Sequence, residues 1–92
     1  MGAKVYKNIE TQPMLPLVRE QNEYYVLSVG FEKKGTPLVT ILENGEPRCY
    51  RLPDDYSEWV MTAVGMANCE EKIFPEEVIF SLVDGRYYVD IL

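Results

Sequence analysis

At 92 residues, 47% of them apolar and 26% charged, the chain has an ordinary globular composition and enough length for one hydrophobic core, which excludes a second core and argues against disorder. Its longest apolar runs of four or five residues fall far short of the roughly 20 that span a bilayer as a helix, and no basic, then apolar, leader follows Met1. The net charge of −6 is uneven: residues 1–53 sum to +1 and residues 54–92 to −7, so the second half repels phosphate backbones and suits a basic partner.

In chain order, residues 1–22 carry the weakest pattern. Lys4 to Ile9 and Met14 to Arg19 are expected as edge strands or irregular chain, since Pro13 and Pro16 withhold N–H donors from a ladder. Tyr24 to Glu32 alternates as a strand, with Tyr25, Leu27, Val29 and Phe31 on the inner side and Tyr24, Ser28, Gly30 and Glu32 outside. Lys33 to Pro37 supplies turn residues. Leu38 to Leu42 and Arg48 to Leu52 then read as a hairpin around Asn44-Gly45, with Glu43 facing Glu46, Pro47 facing Leu42, and a free edge at the Pro47 end.

Asp55-x-x-Glu58 after Pro53 has capping-box spacing, and Tyr56, Trp59, Val60, Ala63, Val64 and Ala67 share one apolar arc of the helix that follows. Gly65 is favoured as its end over Asn68, because Glu70 and Glu71 would oppose the dipole of a longer last turn. The closing segment has the clearest signal. Asp84-Gly85 sits between runs rich in β-branched and aromatic residues, and a two-residue turn pairs Val83 with Arg86 and, successively, Val78 with Ile91. Val78, Phe80, Leu82, Tyr87, Val89 and Ile91 then face the core, while Ser81, Arg86, Tyr88 and Asp90 face water. The fold class is α+β: a three-strand meander, one helix and a C-terminal hairpin in a single domain over 1–92, either an open antiparallel sheet or a small OB-like barrel.

Chemistry is thinly represented. The chain has no histidine, which removes the commonest general base and metal ligand. Cys49 and Cys69 lack zinc-site spacing, no Gly-rich loop joins a strand to a helix, and the adjacent acids Asp54-Asp55, Glu70-Glu71 and Glu76-Glu77 diverge rather than converge. No metal, cofactor or catalytic activity is expected, and unpaired cysteines fit a reducing cytoplasm.

The expected function is a small non-catalytic protein-binding module, an inhibitor or adaptor of the kind carried by phages and mobile elements. Its candidate partner-binding residues are Tyr24, Arg48, Tyr50, Arg51, Asp54, Asp55, Glu58 and Tyr88. The alternatives are a single-strand nucleic-acid-binding OB-like domain using Tyr24, Tyr50, Arg48, Arg51, Lys33 and Lys34, and a subunit that self-associates as a homodimer through an edge strand.

Overall fold

A computed structural model describes residues 12–18, 20–71 and 73–92; the expected strand at Lys4 to Ile9 lies outside them. Among the described residues five strands, β1 (Gln21–Phe31), β2 (Pro37–Glu43), β3 (Glu46–Arg51), β4 (Glu76–Val83) and β5 (Arg86–Ile91), form one antiparallel sheet in the order β3-β2-β1-β4-β5. The sheet is open rather than a closed barrel, since β3 and β5 end on opposite edges. The one α-helix among the described residues, α1 (Ser57–Asn68), carries the chain from one edge hairpin to the other. It packs over β1 and β2.

Both hairpins have the expected registers. Asn44-Gly45 and Asp84-Gly85 have positive φ at every central position, as a type I′ turn requires. Val83 pairs with Arg86 through to Val78 with Ile91, and Glu43 pairs with Glu46 through to Leu38 with Arg51.

β1 departs from simple alternation. A bulge between Val26 and Ser28 leaves Leu27 out of the ladder, so Asn22, Tyr24 and Val26 share the helix-facing side with Val29 and Phe31. The expected inward Tyr25 is therefore outward, and the expected outward Tyr24 packs against the core with its hydroxyl donating to the Pro16 carbonyl.

The core lies between the sheet and α1. Phe80 is its hub, fully buried, with the rings of Tyr56 at 5.2 Å, Trp59 at 5.6 Å and Tyr24 at 6.3 Å around it. Val26, Val39, Ile41, Leu52, Val60 and Val78 complete it. Tyr87 and Val89 are partly buried against this cluster, whereas Ile91, at the rim of the same face, is exposed. Ser81, expected in water, is buried on the opposite side between its cross-strand neighbours Gln21 and Tyr88.

The helix differs at both ends from the sequence pattern. Asp54–Tyr56 form a 3-10 turn, and no side chain caps the start of α1, so the Asp55–Glu58 box does not form. Gly65 lies inside the helix, which ends at Asn68; the left-handed conformation that stops the chain falls on Glu70, with φ of 65°. The Cys69 and Glu71 N–H groups donate to the Met66 carbonyl and the Glu70 N–H to the Ala67 carbonyl, which satisfies the end of the longer helix despite the acids beyond it. Met14 to Arg19 is not a strand in its described part: Met14 makes an isolated parallel bridge to Arg51, and Leu15 inserts into the core beside it.

Candidate protein-binding face

The side of the sheet away from α1 has no described layer over it. On its β1-β4-β5 half the register builds three rows: Gln21, Ser81 and Tyr88; then Glu23, Ile79 and Asp90; then Tyr25 beside Glu77. Tyr25 and Tyr88 remain 40% and 48% exposed, large values for aromatic rings on a sheet. With strands ~4.8 Å apart and ~3.3 Å of rise per residue, the two tyrosines stand roughly 16 Å apart on the diagonal, with Ile79 between them. Three carboxylates, Glu23, Glu77 and Asp90, surround that isoleucine.

Two of these carboxylates interact directly. A hydrogen bond from one side chain to the other links Glu77 with Glu23, and that bond together with the neighbouring negative charge raises the Glu77 carboxyl above its ordinary range. Like-charged groups this close on an exposed surface favour a ligand that brings positive charge. On the β2-β3 half the same face is more neutral, with Leu42, Pro47, Thr40 and Cys49; burial pushes the Cys49 thiol up, opposed by a hydrogen bond with Thr40. Beside the start of β1, Val18, Gln21, Asn22, Glu23, Tyr24 and Ile79 line an open cleft of about 420 Å³. Asn22 is buried in its wall and donates to the Phe80 carbonyl at 3.2 Å.

Most of the residues expected to form a site are not brought together. Tyr88 is exposed on the open face as expected. Tyr24 and Tyr50 lie on the helix side and pack against the core, and Tyr50 donates to a Glu43 carboxylate oxygen at 2.6 Å. Arg48 lies 3.4 Å from that same oxygen. Arg51 is held by the N-terminal segment: its N–H donates to Pro13, its carbonyl accepts from Leu15, and its Nε donates to Gln12. The β3 edge is therefore occupied at Arg51, which corrects the expectation of an unpaired backbone there, while its Pro47 end is an edge with no backbone partner beyond β2 among the described residues, as expected. Asp54, Asp55 and Glu58 are exposed at the start of the helical segment. Tyr56, two residues after Asp54, donates to the Ser81 and Tyr88 carbonyls from the helix side, so these acids stand across the sheet from the Tyr88 ring.

Sequence patterning missed Tyr25, Glu23, Glu77 and Ile79 as a group. Their neighbourhood depends on β1 pairing with β4, more than fifty positions away, and on the bulge that turns Tyr25 outward. Asp90 beside Ile79 was accessible through the hairpin register alone. Among the described residues no group of His, Cys, Asp and Glu could hold a metal ion, and no helix is long and apolar enough to cross a membrane. No protein-family model, curated protein or solved structure matches the chain.

Proposed function

We propose that the chain is a non-catalytic protein-binding module that docks a basic surface of another protein on the open face of its sheet. The observation that carries this is the acid-ringed aromatic patch, with Tyr25 and Tyr88 exposed and Glu23, Glu77 and Asp90 around Ile79. Tyrosines offer large, rigid contact area with a polar tip, and the carboxylates select for Lys or Arg opposite them and accelerate encounter. An inhibitor or adaptor needs no more than such a face. Both thiols are free, which suits work in a reducing cytoplasm.

The test compares the full chain with a Tyr25→Ala/Tyr88→Ala variant, each immobilised and exposed to lysate at ~50 mM salt, then eluted at ~500 mM, where the screening length falls to about 4 Å. The expected result is a basic protein that elutes from the parent chain and is missing from the variant. Equal capture by both chains, or nothing released by salt, overturns the proposal.

A further inference from the structure

The two ends of the sheet are guarded unequally. β5 has no proline, lysine or bulge, its charged side chains are one of each sign, Arg86 and Asp90, and no described segment hydrogen-bonds along it. Its register on β4 determines which backbone groups are free. Val83 and Arg86 close a two-residue turn as a hydrogen-bonded pair, so Ser81–Tyr88 and Ile79–Asp90 are also hydrogen-bonded, and the N–H and C=O groups of Tyr87 and Val89 point outward.

The side chains of this edge are self-complementary. Arg86 and Asp90 lie two positions either side of Tyr88, all three project from the open face, and neither charged residue has an ion-pair partner among the described residues of its own chain. We infer that β5 pairs antiparallel with β5 of a second copy about a two-fold axis at Tyr88. Tyr87 N–H and C=O then exchange hydrogen bonds with Val89 of the other copy, and the reverse pair follows by symmetry. Tyr88 meets its own counterpart in a non-hydrogen-bonded pair, where side chains approach most closely, and each Arg86 stands directly opposite an Asp90. The competing two-fold axis at Val89 would set Asp90 opposite Tyr88 and Arg86 opposite Leu92, so that neither charged side chain faces one of opposite sign.

Charge complementarity thus selects a second copy of this chain as the occupant, and selects the register. The axis runs perpendicular to the sheet, so the two sheets become continuous with both helices on one side. The acidic faces join on the other. This pairing stands on the edge and its charges, independently of the basic partner proposed above. One strand pair buries less than a standard interface, which makes the dimer weak, in the range of ~10 µM to 1 mM.

Light scattering of the full chain across that concentration range should show the mass rising toward twice the monomer. Arg86→Asp and Asp90→Arg, each placing like charges opposite one another twice, should weaken the dimer by about tenfold or more. An equimolar mixture of those two variants restores both ion pairs in a mixed dimer and should recover the parent affinity. In a Cys49→Ala/Cys69→Ala background, Tyr88→Cys should oxidise to a covalent dimer and Asp90→Cys should not. Circular dichroism establishes that each variant is folded. A monomer at ~1 mM overturns the inference, as does a dimer unaffected by either charge variant or a mixture no tighter than its components.

Discussion

The two hairpins flanking β1 have the same construction up to their outer strands. Each turns on a two-residue loop ending in Gly, each pairs its inner strand with β1, and each places a basic residue near an acid. In β2-β3 the acid serves its own hairpin, where Glu43 takes both the Tyr50 hydroxyl and the Arg48 guanidinium, and Leu15 and Pro13 close the edge at Arg51. In β4-β5 the charges are left facing outward with the backbone edge open. The contrast separates a hairpin in which Glu43 and Arg48 are paired within the molecule from one in which Arg86, Asp90 and the outer backbone edge have no partner among the described residues.

Substitutions test that contrast, beginning in the core both hairpins share. Phe80→Ala in β4 should cost about 3–5 kcal/mol in chemical denaturation, because three aromatic rings lose their common neighbour. Leu15→Ala should cost about 2–5 kcal/mol and also release the segment that closes the β3 edge, seen as faster amide exchange at Arg51 with no change along β5. Equal acceleration at both edges would show that Leu15 supports the core alone and guards nothing.

Alkaline pH probes the contact between the helical segment and the β4-β5 hairpin. Burial and the neighbouring Tyr87 push the Tyr56 hydroxyl from 10.0 up to about 12, and its proton is donated to the Ser81 and Tyr88 carbonyls. A group with a raised folded-state value contributes its stability in full below pH 10 and loses it as pH rises to about 12, since the unfolded chain ionises first. The loss should be on the order of 2 kcal/mol over that window. Tyr24 and Tyr50 are also raised, so Tyr56→Phe should lessen this slope without abolishing it. An unchanged slope would place the effect on those other tyrosines.

Smaller effects test the equivalence of the turns and the isolation of the open face. Gly45→Ala and Gly85→Ala should each cost about 1 kcal/mol, because φ of 81° and 76° disfavours a side chain even where no atom lies in its way. A difference between them beyond ~0.5 kcal/mol would mean that one turn carries strain the other lacks. Tyr88→Ala should change stability by no more than ~0.5 kcal/mol at dilute concentration. Tyr87→Ala, removing a ring that stacks edge-on to Tyr56 at 5.4 Å, should cost several times as much; the opposite ranking would invert the faces of β5.

How much was legible in the sequence follows from the range of the signal. Asn44-Gly45 and Asp84-Gly85 each fix a register locally, because the turn type leaves one way to align the strands. Tyr24 to Phe31 is apolar in both phases, so alternation could not locate an extra residue within it, and the face of Tyr24 and Tyr25 was misassigned. Pro13 and Pro16 marked residues 12–18 as poor strand, yet gave no hint that Leu15 between them is buried. The acidic patch depends on a pairing between distant strands. Only Tyr88 and Asp90, placed by a local turn, were readable in advance.

The bulge at Leu27 amounts to a change of reading frame within one strand. Pairing that residue in the ladder instead of bulging it out would join the two halves of β1 in one phase, and if the later half kept its place, Gln21, Glu23 and Tyr25 would turn toward the core while Asn22, Tyr24 and Val26 turned to solvent; deleting it would leave Val26 opposite Ile41, Ser28 opposite Thr40 and both faces as they are. One inserted position thus lets a single strand supply hydrophobic packing along its whole length and still display an aromatic ring beside two acids. Loss of the bulge with Leu27 retained would therefore exchange display for burial, with every residue of the sequence unchanged.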